Sequence, residues 1–201
     1  MRENNGLLIV FSGPSGSGKD SVLELLRDQV DDVQLSVSLT TREKRAGEQH
    51  GVHYFFVTRE DFERKIAAGE VLEYAQYNGQ YYGTPKTAVD EWLAQGKTVI
   101  LEIEVQGAED IRRIYPGCVG VFLLPPSIET LRQRLRGRRS NTEEDIERRI
   151  GIAKQEIPHA LNYDYCIMND KLDQAVQDFH AVIRAEQLRR NFKLEEVMRE
   201  C

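Results

Sequence analysis

Cysteine is scarce. Cys118, Cys166 and Cys201 are the only three in 201 residues. They form no CxxC pair and no even-numbered framework, which excludes a disulfide scaffold and suits a reducing cytosol. No run of about 18 apolar residues occurs, so no membrane span is expected. The opening residues, MRENNG before LLIVF, lack the basic region and apolar stretch of a signal peptide. A cytoplasmic protein without a membrane partner is therefore expected. Excess positive charge is missing too. The net charge is −6, and a general nucleic-acid binder needs a basic surface. An anionic ligand would have to be met by arginines gathered locally.

What remains is 40% hydrophobic and 30% charged, an ordinary globular composition. The length suits one compact domain with insertions. Residues 7–11, LLIVF, read as a strand buried on both faces. Glycine-rich sequence follows, then a helix over 21–30 with Val22, Leu25, Leu26 and Val30 on one face. Residues 52–57 (VHYFFV) read as a strand, and Thr58 with Asp61 as a helix start. Residues 71–77 and 80–84 flank Asn78-Gly79, a hairpin signal. Pro85 suits the first turn of a helix carrying Val89, Trp92 and Leu93. Residues 98–103, 119–124 and 165–168 read as further strands, with helices over 127–137, from Thr142, and from about 171. Strands alternating with helices imply an α/β fold with a doubly wound parallel sheet. The hairpin-rich stretch reads as a mixed α+β insertion.

Gly13-Pro14-Ser15-Gly16-Ser17-Gly18-Lys19 fits the G-x-x-x-x-G-K part of a P-loop. Its glycines let backbone N–H groups converge on phosphate oxygens, and the following helix points its positive end there. Lys19 supplies a point charge for the β and γ phosphates. The next residue, usually Ser or Thr, is Asp20, followed by Ser21. Asp20 can hold Mg²⁺ directly or through water. It can equally face solvent at the helix N-terminus.

Further on, Ser38, Arg42 and Arg45 sit in a polar stretch before Tyr54. Two arginines three apart beside a tyrosine hydroxyl can fork onto one phosphate. Glu73 ends a strand-like run, and Tyr81-Tyr82-Gly83-Thr84-Pro85 follows. A buried carboxylate is what the N1–H and exocyclic amine of guanine demand, and hydroxyls such as Ser38 and Thr84 can serve O6 and N7. Singly, each of these residues reads as well as a packing or surface group; their joint arrangement carries the reading.

The stretches GPSGSGK, SVSLTTREKRAGE, GVHYFFV, GEVLEYAQYNGQYYGTP, ILEIEVQGA, RLRGR and IMND run in the order of the guanylate kinase family. The sequence resembles that family, in its bacterial form, from about residue 6 to 190. The resemblance implies a P-loop NTPase-like core, an inserted GMP-binding region and a helical lid. It places core over 1–37, 91–130 and 159–201, the GMP region over 38–90 and the lid over 131–158. It implies that Gly13 through Ser21 and Asn169 bind ATP. Arg42, Arg45, Tyr54 and Tyr82 would hold the GMP phosphate, and Ser38, Glu73 and Thr84 would read guanine. Glu102 and Glu104 match acidic positions of the GMP site, the second more commonly Asp. Arg134, Arg138 and Arg149 match lid arginines that, with Lys19 and Arg42, serve the transferring phosphoryl group. Arg139-Ser140-Asn141 stands where the family usually shows glycine.

The implied reaction moves the γ-phosphate of ATP to GMP, and to dGMP, with Mg²⁺. The acceptor phosphate, with a second pKa near 6, is already largely dianionic and needs no general base. Positioning and charge stabilisation would carry catalysis, with lid closure excluding water. Two other readings remain. One is a ribose 1,5-bisphosphate phosphokinase, which the loop GPSGSGKDS also resembles. The other is a non-catalytic guanylate kinase-like interaction domain, in which a degraded P-loop is expected. Oligomeric state is not legible.

Overall fold

The computed structural model describes residues 6–30, 33–77, 79–137 and 142–190, together with Met198. In chain order the elements are β1 (Leu7–Ser12), α1 (Lys19–Gln29), β2 (Val33–Leu35), β3 (Leu39–Thr40), β4 (Phe55–Phe56) and α2 (Arg59–Ala67). Then come β5 (Val71–Tyr77), β6 (Gln80–Pro85), α3 (Lys86–Ala94), β7 (Thr98–Glu102) and α4 (Val105–Ile114). The last are β8 (Val119–Leu124), α5 (Ile128–Arg136), α6 (Glu143–Glu156), a 3-10 helix (Ile157–Asn162), β9 (Tyr165–Met168) and α7 (Leu172–Arg190). One sheet has the order β2-β7-β1-β8-β9, the other β4-β3-β6-β5. The first is the mostly parallel sheet of a P-loop NTPase-like α/β fold. No described helix is long and apolar enough to cross a membrane.

The chain divides into two compact units, Met1–Val10 with Gln34–Cys118, and Phe11–Val33 with Val119–Cys201. In the first, Val99, Ile100 and Leu101 of β7 are buried, as are Val89 and Leu93 of α3 and Ala108 and Ile111 of α4. Its mixed sheet pairs β3 with β4 in parallel and with β6 antiparallel, and β6 with β5 antiparallel. The β5–β6 hairpin closes with Tyr77 opposite Gln80 and Gly79 at φ 76. The predicted Asn-Gly turn thus falls where it was expected, although Asn78 lies outside the described residues. Thr58 caps α2 by accepting from the Asp61 N–H at 3.1 Å.

In the second unit, Phe11 meets Phe179 of α7 with ring centroids 4.8 Å apart. Strand β8 runs parallel to β9 with Val121 opposite Tyr165. Leu131 and Leu135 of α5 pack on Ile146, Ile150 and Ala153 of α6. The i, i+4 spacing on both helices makes this stripe. Truncating one of its leucines to alanine is worth about 2–5 kcal/mol.

Three local expectations are corrected. Residues 52–57 are not one strand; Phe55 and Phe56 form β4, and Tyr54 makes only an isolated bridge with His50. The Val52 and His53 N–H groups both turn back to the Gln49 carbonyl, and the Gly51 N–H to that of Tyr54. Hydrophobic content imitated a strand where the chain needs a tight turn. Pro85 precedes α3 as its N-cap, in extended conformation, because it still ends β6. Helix α1 begins at Lys19, two residues early, because Gly18 is its left-handed N-cap.

Candidate functional site

In the second unit the P-loop joins β1 to α1. Gly18 has φ 99, a conformation L side chains rarely adopt, and a Cβ there would run into Asn169 Nδ2. The Ser17 N–H donates to the Pro14 carbonyl at 3.0 Å. Lys19 Nζ donates to the Gly13 carbonyl at 2.8 Å, so the ammonium is held across the loop. Gly18 gives α1 no side-chain cap, which leaves its first N–H groups to an anion. Asp20 and Ser21 are exposed in the first turn.

Two predicted site residues grip this loop from behind. Asn169 is 4% exposed, and its Nδ2 donates to the Ser17 carbonyl at 2.7 Å. Arg134 of α5 donates to the same carbonyl at 3.2 Å and to the Asn169 carbonyl at 2.7 Å. Arg149 of α6 reaches the loop's exposed side, with Nη1 3.4 Å from Ser15 Oγ. Arg138 and the Arg139-Ser140-Asn141 stretch lie outside the described residues.

The acceptor candidates fall in the first unit. Side chains alternate along β6, so Tyr81 and Tyr82 face opposite ways. Tyr81 stacks on Phe62 at 5.0 Å with Arg59 over its face at 4.8 Å. Tyr82 turns to Tyr54, 6.0 Å away edge to face. Thr84, two residues on, shares the face of Tyr82, and its hydroxyl donates to Glu73 Oε1 at 2.6 Å. Glu73 is 8% exposed, and its burial pushes the carboxyl pKa up. The Thr84 bond opposes that rise, while the charges of Asp110 and Glu104 add to it. Glu104 is exposed at the N-cap of α4 and spends no bond on capping. Glu102 ends β7, half-buried and partnered. Ser38 is half-buried, and its carbonyl accepts from the Phe55 N–H at 2.9 Å.

Arg42 lies with its guanidinium carbon 5.4 Å from the Tyr54 ring centre and 5.7 Å from that of Phe56. Its Nη1 and Nη2 donate to the two oxygens of Glu48 at 2.9 and 2.8 Å. This pairing, with the Arg45 N–H, holds the Glu48 carboxyl down at about 2. The Arg45 side chain is exposed.

Glu48 and Gly107 were not among the residues singled out from sequence. The signal for Glu48 was Gly47, since a glycine before it permits the turn that folds it back on Arg42. Gly107 sits in the first turn of α4, where a Cβ would lie 2.6 Å from Glu73 Oε2. A glycine in a helix, costing about 1 kcal/mol against alanine, was its signal.

Chemically, one unit offers a backbone cradle with an ammonium. The other offers an arginine fork beside tyrosines and a buried carboxylate that seeks N–H donors. Comparison with known proteins gives the same pairing. A family model described as guanylate kinase matches residues 5–186. The guanylate kinase of Shouchella clausii is 50% identical over 94% of this chain and 93% of its own length. That of Carboxydothermus hydrogenoformans is 49% identical over 92% and 91%. The crystal structure of guanylate kinase from Anaplasma phagocytophilum superposes with a TM-score of 0.79 at 32% identity, covering 98% of this chain and 96% of that one. The chain belongs to the guanylate kinase family, nucleoside monophosphate kinases whose reaction is phosphoryl transfer from ATP to GMP.

Proposed function

We propose that this chain itself phosphorylates GMP, and dGMP, with ATP by in-line transfer in the cytoplasm, using Mg²⁺ and no general base. Acceptor binding is assigned to residues 38–90 with Glu102 and Glu104, the lid to 131–158, and the rest to the core. The buried Glu73–Thr84 pair carries this reading. A desolvated carboxylate whose hydrogen bonds come from the hydroxyl and main chain of Thr84 alone is stabilised by two further N–H donors, and the guanine edge presents two. Adenine presents an acceptor at that position and would leave Glu73 facing a lone pair.

Lys19 and the loop amides hold the ATP phosphates. Arg134 and Asn169 keep the Ser17 carbonyl turned away from them, so that N–H groups and not oxygens face the anion. Arg42, Arg45, Tyr54 and Tyr82 hold the acceptor phosphate, and Ser38, Glu102 and Glu104 complete the nucleoside contacts. Arg149 and Arg138 offset charge on the phosphoryl group in flight; one such arginine is worth about 10³ in rate. Asp20 and Ser21 put an exposed carboxylate and an exposed hydroxyl-bearing side chain on the turn that opens α1. A hard cation that keeps several waters and takes one or two carboxylates plus phosphates fits that donor set. Bound there, Mg²⁺ would neutralise phosphate charge.

A coupled ADP-release assay with ATP and Mg²⁺ tests the reading, offering GMP, AMP, UMP and ribose 1,5-bisphosphate in parallel. Turnover on GMP, lost in Glu73→Ala, is the expected result. Activity on the sugar phosphate alone would overturn it. So would GMP binding with no turnover on any acceptor.

A further inference from the structure

The turn that follows Arg45 has a consequence for the acceptor phosphate. The Glu48 N–H donates to the Arg45 carbonyl at 3.2 Å, with Gly47 between them at φ 88. That is the third-position left-handed residue a type II turn requires. The turn brings the Glu48 carboxylate back over its own loop. Oε2 accepts from the Arg45 N–H at 2.8 Å and from Arg42 Nη1 at 2.9 Å, and Oε1 accepts from Arg42 Nη2 at 2.8 Å. The remaining bond from Nη1 goes to the Glu43 carbonyl at 2.7 Å.

A guanidinium carries five N–H groups in a rigid plane. Glu48 takes the end-on pair, and Glu43 takes the second hydrogen of Nη1. Those bonds leave Nε–H and the second hydrogen of Nη2. On that remainder the hydroxyl of Tyr82, itself assigned to the acceptor phosphate, is the one further side chain among the described residues that hydrogen-bonds the guanidinium. The two N–H groups are parallel and form the side-on fork that matches two oxygens of a phosphate. The plane is fixed as well, since Tyr54 and Phe56 both lie within reach of its face. The side chains of Arg42 and Glu48 are only 15% and 17% exposed, so water does little to loosen the pair.

We infer that Glu48 is a positioning residue of the acceptor site: it occupies the end of the Arg42 guanidinium and so presents the side-on fork to a phosphomonoester dianion. This rests on the assignment of Arg42 to the acceptor phosphate given above. Glu48 also ties Arg45 to the same carboxylate through the main chain, so one side chain registers both arginines. It touches no reacting atom. Its negative charge lowers the local positive charge, and the geometry it imposes is what raises affinity.

The test compares GMP with guanosine, which lacks only the phosphate. Glu48→Ala and Glu48→Gln are made in the full chain. Dissociation constants for both ligands are measured directly, and KM and kcat are measured for GMP and ATP. Glu48→Ala is expected to weaken GMP about tenfold or more, with guanosine binding and the KM for ATP unchanged. Glu48→Gln keeps an oxygen for the Arg45 N–H but sets an amide N–H₂ against Nη2. It is expected to fall between wild type and alanine. Unchanged guanosine binding certifies the fold of each variant, and Glu48→Gln serves if the alanine chain does not fold. GMP binding as tight as wild type, or tighter, in both variants would overturn the inference, because Glu48 would then be a rival of the phosphate. Failure of the wild-type chain to bind GMP at all would instead remove the functional reading beneath it. Equal losses for GMP and guanosine would reduce Glu48 to general support of the loop and also overturn it.

Discussion

The proposed donor cradle is built of main chain. Gly18 at φ 99, the carbonyl of Ser17 and the bare N-terminus of α1 come from one short run of sequence. The proposed acceptor region is built of side chains. Arg42 and Glu48 come from one loop, Tyr54 from before β4, Glu73 from β5, Tyr82 and Thr84 from β6. A site made of backbone is broken by adding atoms. A site made of side chains is broken by removing them. The two regions should therefore respond oppositely to the two kinds of substitution.

The largest expected effect lies in the cradle. Gly18→Ala forces a side chain into a left-handed conformation and against the Asn169 amide. It should cost about 10³ in kcat/KM for ATP, at the upper end of what losing one preorganised donor costs. Guanosine binding should not change. A loss below tenfold would mean that the cradle is not set by its main chain. Next comes Glu73→Gln, which turns an acceptor of two N–H groups into one acceptor and one donor. A loss of about 10² in kcat/KM for GMP is expected, with the KM for ATP unaffected.

These two positions also show what could be read in advance. The cradle was legible because its chemistry is contiguous: strand, glycines, lysine, helix. Seven residues of sequence state both its shape and its ligand class. Glu73 and Thr84 are eleven residues apart and meet through the register of a hairpin. Only the Asn-Gly turn hinted that they could. Glu48 is harder to read, because Gly47 permits the turn but does not say where the carboxylate folds; that depends also on how Arg42 lies on the aromatic floor of Tyr54 and Phe56. The stretch from Val52 misled because Val52 is exposed in a turn, Tyr54 and Phe56 serve that floor, and only Phe55 and Phe56 form a strand. The family resemblance makes Arg134 a lid arginine but does not say what it contacts in the loop. Arg134 is bonded to two carbonyls behind the loop, a contact that joins residues more than a hundred positions apart.

Gly107→Ala sharpens the comparison by adding atoms to the side-chain site. Its backbone is helical, so alanine should raise helix stability by up to about 1 kcal/mol. Its Cβ would nevertheless displace the Glu73 carboxylate, only 2.6 Å away. Thermal stability held or improved, with KM for GMP raised about tenfold, is the expected pairing. Asn169→Ala makes the converse test by removing atoms from the backbone site. It leaves the buried Ser17 carbonyl with Arg134 alone, at a cost of about 1–3 kcal/mol in stability. The KM for ATP should rise severalfold, and the KM for GMP should not move.

The smallest effects are in pH, and they set two carboxylates of the acceptor region against each other. Glu48 is held down at about 2, from an ordinary value of 4.5, by Arg42 and the Arg45 N–H. Its contribution to stability is complete above the ordinary value and is lost as pH falls through the folded one. Glu73 is raised by burial, so the unfolded chain releases its proton first. Stability from this group falls as pH rises from about the ordinary value of 4.5 through the raised one, then levels off. Melting temperature measured across pH should therefore lose its steep acid limb in Glu48→Gln and its gentle alkaline-going decline in Glu73→Gln. Guanosine separates the functional consequence, because it carries no titrating phosphate. Two N–H donors favour ionised Glu73, so guanosine should bind more weakly as pH falls and should release a proton on binding. In Glu73→Gln the affinity should be low and flat with pH. A wild-type profile equally flat would mean that Glu73 is already fully ionised in the empty site, and that its burial is offset by donors other than Thr84.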